Sequence, residues 1–190
     1  MKQVSLTWML LIVLALLGPC WLAADDEVAE PAAPVLALFV RHAETSASTL
    51  SGGDPELSEE GQARARALAA LLEGAEVTHL YASEYARTAA TLAPLAAAKE
   101  LELVRIGARA QDEQLAALRA LPPGSFAVVA GHSNTVPALV SALGGRVDEL
   151  EQHPQYGAMI DHAVYDRAFL LHLPADARDA VSTLELRVGE

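Results

Sequence analysis

The feature that most constrains the fold is a pattern that occurs twice: a short apolar run that ends at a histidine. The first run, residues 35–40, leads into Arg41 and His42. The second run, residues 126–130, leads through a glycine into His132. Short apolar runs bounded by polar loops are typical of buried strands in a parallel sheet. Because ligands of open α/β sheets bind beyond the carboxyl ends of the strands, the pattern predicts that both histidines face one site.

The remaining sequence alternates between strand and helix patterns. The predicted strands are 35–40, 77–81, 101–106, 126–130, 169–173 and 181–188, and the predicted helices are 58–74, 85–98, 112–121 and 134–143. This alternation predicts an α/β fold, a three-layer α/β/α sandwich with a mostly parallel sheet. The last two strands are too close in sequence for a crossover helix, so we expect them to pair antiparallel and to supply an antiparallel edge strand.

The N-terminal residues have the layout of a secretory signal, with a long apolar stretch and two small residues, Ala23 and Ala24, before an acidic segment. We expect residues 1–24 to be a signal peptide, or a membrane anchor if residues 4–24 stay uncleaved. Residues 25–34 are acidic and rich in Pro and Ala, which indicates a tether, and residues 35–190 form one domain of ordinary size. The protein is therefore expected to be exported, either periplasmic or extracellular.

Charge and cysteine content exclude several classes of function. The chain has a net charge of −12, which argues against binding to nucleic acid and to anionic lipid headgroups. Its single cysteine, Cys20, lies in the predicted leader. A mature domain without this residue would have no disulfide, no thiolate catalysis and no cysteine-ligated metal.

Three predicted strands end in side chains that suit a phosphoryl group. In chain order the candidates are Arg41, His42, Arg87, His132, Ser133 and Asn134. Guanidinium groups match phosphoryl oxygens with paired, charge-assisted hydrogen bonds. A helix that begins at Asn134 would add free N–H groups, and we expect Ser133 and Asn134 to contact substrate there. A neutral imidazole can attack phosphorus and form a phosphohistidine when its other nitrogen is held as N–H.

Four segments resemble the motifs of the histidine phosphatase superfamily, the phosphoglycerate-mutase-like proteins. Residues 38–45 are similar to the Arg-His-Gly motif, with Ala43 in place of the glycine. Residues 57–65 resemble the Leu-Thr-x-x-Gly helix start, and residues 81–93 resemble the Ser-x-x-x-Arg-Thr-x-x-Thr-Ala element. Residues 131–133 are similar to the last Gly-His-Ser signature, and all four segments occur in the family order.

This resemblance implies that His42 is the phosphorylated nucleophile and that Arg41, Arg87 and His132 form the phosphate pocket. It also implies that the reaction uses no metal and no cofactor. The short chain and residues 131–137 resemble the small phosphatase branch, which includes phosphohistidine phosphatases, more than the mutases. The substrate is then expected to be a small phosphate ester, a phosphohistidine or another phosphoprotein.

The sequence leaves the general acid open. A carboxylic acid is expected to protonate the leaving oxygen, and four candidates remain: Asp54, Asp112, Glu113 and Asp161. A good leaving group such as the imidazole of a phosphohistidine needs less protonation, so a weak or absent acid would favour such a substrate. Glu44, in contrast, is interpreted only as a partner for a nearby arginine.

Two alternative functions fit parts of the sequence. Residues 131–135 nearly match the Gly-x-Ser-x-Gly nucleophile elbow, and Asp148 and His172 follow in the chain order of a serine hydrolase that would use Ser133. The other alternative is a degenerate member of the resembled family, which binds phosphate without turning it over.

Overall fold

The computed structural model describes residues 32–47, 53–176 and 178–189. The predicted leader, residues 1–24, and most of the predicted tether lie outside the described residues. Residues 32–34 have no regular secondary structure, and the carbonyls of Ala33 and Pro34 both accept the Gly124 N–H at 3.2 Å. No helix in the described ranges is long and apolar enough to cross a membrane.

Helices and strands alternate along most of the described chain, as the sequence predicts. The helices are α1 (Glu59–Leu71), α2 (Ala86–Lys99), α3 (Gln111–Arg119) and α4 (Thr135–Ala142). The strands are β1 (Val35–Arg41), β2 (His79–Ala82), β3 (Leu103–Arg105), β4 (Phe126–Gly131), β5 (Glu151–His153), β6 (Gly157–Met159), β7 (Arg167–Leu173) and β8 (Ser182–Arg187).

Six of these strands form one sheet in the order β3-β2-β4-β1-β7-β8. The pairs among β1, β2, β3 and β4 are parallel, and β7 pairs antiparallel with both β1 and β8. The predicted α/β fold with a mostly parallel sheet is confirmed, as is the antiparallel pairing of the last two strands. The strand antiparallel to its neighbours is β7, which lies next to the edge strand β8. A short connection after β7 reverses the chain, so β8 runs in the same direction as β1.

The core lies on both faces of the sheet. One group of buried side chains joins Phe39 and Val129 of the sheet to Leu115 of α3 and Val136 of α4. On the opposite face, the alternate strand residues pack against Leu68 of α1 and Leu92 of α2. Because side chains alternate between the two faces of a strand, the nearly continuous apolar runs of β1 and β4 supply both layers.

A small hairpin, β5–β6, was not predicted from the sequence. Its strands pair antiparallel, with Glu151 opposite Met159 and His153 opposite Gly157. The strands are three residues each and mostly exposed, so they lack the apolar alternation that marks a half-buried strand.

Strand register brings the motif residues to one edge of the sheet. Arg41 at the end of β1 lies opposite Gly131 at the end of β4. Ala82 at the end of β2 lies opposite Ala130. The residues that follow these strands, among them His42 and His132, therefore leave the sheet side by side.

The start of α1 approaches the loop after β1 very closely. Ser58 caps this helix, since its Oγ accepts the Gly61 N–H at 3.1 Å, and its own N–H binds the Glu44 carbonyl at 3.0 Å. A Cβ atom added to Gly61 would lie 2.1 Å from the Glu44 carbonyl oxygen. A glycine is required here by the close contact between two backbones.

Replacing Gly61 with alanine should therefore lower the free energy of unfolding by about 2–3 kcal/mol, because overpacking at a rigid backbone forces the helix away from the loop. Urea unfolding of Gly61→Ala measures this loss. Gly74→Ala is the matched control, because no atom lies within 4 Å of its added Cβ. Equal stability of the two variants would contradict the close packing described here.

Candidate active site

His42 is buried at the end of β1, with its ring fixed in one tautomer. Its backbone N–H binds the Gly131 carbonyl at 2.9 Å, and its Nδ1 lies 2.9 Å from the Ala43 carbonyl oxygen. Because a carbonyl can only accept, Nδ1 carries the proton and Nε2 keeps its electron pair. Burial lowers the pKa of His42 to about 3, and the nearby charge of Arg41 adds to this effect. The ring is neutral at ordinary pH.

Arg41 is fixed by the loop that precedes β7. Its Nη1 donates to the carbonyls of Asp161, His162 and Val164 at 3.0, 3.1 and 2.9 Å. The ring of Tyr165 covers the guanidinium, with its centroid 3.8 Å from Cζ. Burial lowers the pKa of Arg41, but a guanidinium stays charged at any working pH.

Arg87 lies in the first turn of α2 and is held by Asp54 from the opposite loop. Its Nη1 donates to Asp54 Oδ1 at 3.1 Å and to the Gly53 carbonyl at 3.3 Å. The Tyr85 ring covers the guanidinium, with Cζ 4.1 Å from the ring centroid. Asp54 also accepts the backbone N–H groups of Ala86 and Arg87, so it caps a helix whose own cap residue offers no side-chain bond.

His132 connects Arg87 to a chain of hydroxyl groups. Its Nδ1 lies 3.5 Å from Arg87 Nη2, and its Nε2 lies 2.9 Å from Ser83 Oγ. Because Arg87 can only donate, Nδ1 accepts and Nε2–H donates to Ser83. Ser83 Oγ then donates to Thr88 Oγ1 at 2.9 Å, and Thr88 donates to the Tyr85 carbonyl at 2.8 Å. Burial lowers the pKa of His132 to about 4, helped by the charge of Arg87.

Arg41, His42, Arg87 and His132 line one open cleft of about 610 Å³. The ring centroids of His42 and His132 are 5.4 Å apart. The charged lining residues among those described are Arg41, Arg87, Arg109 and Asp54, three cations against one anion, or a charge of +2. This positive cleft belongs to a chain whose net charge is −12, so it is the place where an anionic ligand would collect.

Ser133 and Asn134 also line this cleft, at the start of α4. Asn134 occupies the cap position, but its side chain makes no capping hydrogen bond. Instead, Thr135 Oγ1 accepts the His132 N–H at 2.9 Å, and the Ser133 carbonyl accepts the Ile160 N–H at 2.8 Å. The structure thus brings together all six residues that the sequence nominates.

Of the four candidate acids, only Asp54 reaches the cleft lining in the described residues. Burial alone would raise the pKa of Asp54. Hydrogen bonds from the Ala86 and Arg87 N–H groups, together with the Arg87 charge, lower the pKa by more than burial raises it. The net shift is downward, so the carboxylate is ionised at neutral pH and serves as an ion-pair partner.

The other three candidate acids point elsewhere. Asp112 and Glu113 are exposed in the first turn of α3. Asp161 gives its backbone carbonyl to Arg41, while its carboxylate accepts the Ala163 N–H at 2.8 Å. Carboxylates near a helix start or in a tight turn commonly bind backbone N–H groups, and sequence position alone does not separate this use from catalysis.

The serine hydrolase alternative is wrong, because its triad is not assembled. His172 pairs with Leu36 near the start of β1, at the opposite end of the strand from Arg41. Asp148 is 62% exposed and pairs with Arg146 at 2.7 Å. Across residues 32–47, 53–176 and 178–189, no group of three His, Cys, Asp or Glu side chains is placed to hold a metal ion.

Three supporting residues were missed by the sequence reasoning. Tyr85 and Tyr165 cover the two arginines, and Arg109 lines the cleft. A tyrosine beside a motif carries no sequence signal that separates stacking from ordinary packing. Glu44 was interpreted correctly, since it pairs with Arg64 through an Nη2–Oε1 contact of 2.6 Å.

Comparison with known families agrees with this geometry. Residues 37–109, from β1 to the turn after β3, match the model of the histidine phosphatase superfamily (branch 1). The matched segment contains three of the four motifs that carry the resemblance. The resemblance drawn from the four motifs is thereby confirmed. A comparison with curated proteins gives no match for this sequence.

Solved structures described as phosphatases share the fold. A Nakamurella multipartitia protein assigned as the phosphohistidine phosphatase SixA is 24% identical, with 85% of this chain and 100% of that chain covered and a TM-score of 0.60. A mycobacterial glucosyl-3-phosphoglycerate phosphatase is 15% identical, with 80% of this chain and 97% of that chain covered and a TM-score of 0.57. A protein from Agrobacterium tumefaciens, also assigned as SixA, is 20% identical, with 75% of this chain and 96% of that chain covered and a TM-score of 0.51. At these identities the likeness establishes the fold, and with the family match it supports phosphatase activity.

Burial of the two neutral histidines predicts a loss of stability in acid. Both folded-state pKa values lie below the ordinary value of 6.5, so the unfolded chain binds protons first as the pH falls. The stability that each ring contributes is complete above about pH 6.5 and is lost towards about pH 3–4. At about pH 5 this loss is about 2 kcal/mol for His42.

Between about pH 7 and about pH 5, the free energy of unfolding measured with urea should therefore fall by about 2 kcal/mol less in His42→Asn than in the wild type. Taking the difference within each protein cancels the packing change caused by the substitution. An equal pH dependence in both proteins would show that the imidazole of His42 is not held neutral by burial.

Proposed function

We propose that this chain is a metal-independent phosphatase that forms a covalent phosphohistidine on His42. One observation carries the proposal: the His42 Nδ1–H is bound to the Ala43 carbonyl at 2.9 Å. This bond keeps the Nε2 electron pair available, and the ring lines a positive cleft with Arg41 and Arg87. A neutral, oriented imidazole beside two guanidinium groups is suited to attack a phosphoryl group.

In the proposed first step, Nε2 of His42 forms a bond to phosphorus, and the bond from phosphorus to the leaving oxygen or nitrogen breaks. The leaving group departs with the bonding electrons and takes up a proton from solvent. The ring becomes cationic, and its Nδ1–H bond to the Ala43 carbonyl stabilises that charge. In the second step, a water oxygen attacks phosphorus and loses a proton to solvent, while the P–N bond breaks. Inorganic phosphate leaves, and His42 returns to its neutral form.

The cationic side chains supply the charge stabilisation that this reaction needs. Tyr165 and Tyr85 hold the guanidinium groups of Arg41 and Arg87 in place, so little reorganisation is needed when a phosphoryl group arrives. A bound dianion also favours protonation of His132. His132 can then donate a hydrogen bond to a phosphoryl oxygen, in place of accepting one from Arg87.

The state of Asp54 argues for substrates with good leaving groups. It is the one carboxylate that lines the described part of the cleft, and it is ionised and bound to Arg87. Aryl phosphates and phosphohistidine need little protonation of the leaving atom, whereas alkyl phosphates need much. We therefore propose phosphohistidine, in a small molecule or a phosphoprotein, or an activated phosphate ester as the substrate class.

We further propose that residues 1–24 direct export, so that the domain acts on extracytoplasmic phosphate compounds. The apolar leader and the small residues before the acidic tether support this proposal. The intact mass of the protein recovered from the producing cell tests it, because removal of the leader predicts a chain that begins near Asp25.

Hydrolysis of p-nitrophenyl phosphate in EDTA tests the proposed function. The wild type should hydrolyse this ester under these conditions. The rate of hydrolysis should fall by about a thousand-fold or more in His42→Ala, because the nucleophile is gone. His79→Ala is the control, because this half-buried histidine lies in β2 and does not line the cleft. Activity that survives in His42→Ala, or that EDTA abolishes, would contradict the proposal.

The role of Asp54 gives a second test, made with one aryl and one alkyl phosphate. The wild type should strongly prefer the aryl ester. Asp54→Asn should lower kcat/KM by a similar factor of about ten for both esters, because Arg87 loses its orienting partner. A loss confined to the alkyl ester would instead identify Asp54 as the general acid.

A further inference from the structure

A third arginine, Arg109, lines the cleft from the turn between β3 and α3. Its side chain is exposed. None of the ion pairs formed within the described part of the chain includes it. In a chain with 25 acidic and 13 basic residues, six of the eleven arginines pair with a carboxylate within the described ranges, and Arg109 is one of the five that do not.

The turn that carries Arg109 is held on both sides. The Ala108 N–H donates to Glu84 Oε2 at 2.6 Å. The Gly107 carbonyl accepts Gln114 Nε2 at 2.7 Å and the Ala110 N–H at 2.9 Å. The backbone beside Arg109 is therefore anchored to the segment after β2 and to α3, and the position of its Cα relative to the cleft is fixed.

Arg109 differs from the other two arginines in what surrounds it. Arg41 and Arg87 are buried, covered by tyrosines and tied to loop carbonyls or to Asp54, as suits groups that hold a phosphoryl group next to His42. Arg109 is exposed and has none of these ties. Its place is on the cleft wall, where the part of a substrate beyond the phosphoryl group would lie.

We propose that Arg109 is a specificity-determining residue that binds a second anionic group, a carboxylate or a phosphate, on the leaving group of the substrate. This inference rests on the phosphatase function proposed above and narrows its substrate class to compounds with two acidic groups. Guanidinium pairs well with either anion through parallel N–H bonds. Asn134, whose side-chain amide is not used for capping, lines the same cleft and offers a further donor.

The test uses the full-length protein and two aryl esters of nearly the same shape, 4-carboxyphenyl phosphate with an anionic para group and 4-carbamoylphenyl phosphate with a neutral one. The wild type should have the higher kcat/KM with the carboxylate ester. Arg109→Gln should lower kcat/KM for that ester by about five-fold, the effect of one solvent-exposed ion pair, and should lower kcat/KM for the amide ester much less. Arg109→Lys should keep part of the preference.

Arg146→Gln is the matched control, because Arg146 is also exposed but pairs with Asp148 and does not line the cleft. Inhibition by inorganic phosphate is the second readout and should be the same in Arg109→Gln as in the wild type. Equal losses on both esters with weaker inhibition by phosphate would mean that Arg109 holds the phosphoryl group, which overturns the inference.

The failure of this inference can be told apart from failure of the proposed function. A wild type that hydrolyses both esters equally, with no change in Arg109→Gln, would overturn the second-anion site and leave the phosphatase function intact. A wild type that hydrolyses neither ester would overturn both.

Discussion

Parallel pairing of β1 with β4 puts Arg41 opposite Gly131, and the rest of the site depends on this register. Two apolar strands that end together deliver His42 and His132 side by side, with ring centroids 5.4 Å apart. Sliding one strand by a single residue would turn its buried side chains to the other face of the sheet. The two-sided core therefore fixes the register, and the register fixes the distance between the two imidazoles.

Burial gives these two histidines their chemical character. Desolvation holds both rings neutral, and the cationic surroundings act in the same direction. The cleft is positive because its arginines outnumber its single described carboxylate, while the chain as a whole is acidic. An anion is thus attracted to the place where, in the proposed mechanism, the imidazole of His42 acts as a nucleophile and the guanidinium groups stabilise the developing charge.

The sequence predicts much of this arrangement because strand ends and helix caps are local signals. The runs before His42 and His132 mark two central strands, and Ser58 marks the start of α1. The β5–β6 hairpin escapes prediction because its strands are short and exposed. The stacking of Tyr165 on Arg41 joins residues that are far apart in sequence. The role of Asp54 also depends on a contact across the fold, since a loop carboxylate looks the same whether it donates a proton or caps a distant helix.

The most direct test of the account is to identify the residue that becomes phosphorylated during turnover. The protein is mixed with substrate, quenched in base, where a phosphorus–nitrogen bond is stable, and digested for mass spectrometry. The account predicts an acid-labile phosphoryl group on the peptide that contains His42, and no adduct in His42→Ala. A phosphoryl group on Ser133 or His132, or turnover without any adduct on His42, would contradict it.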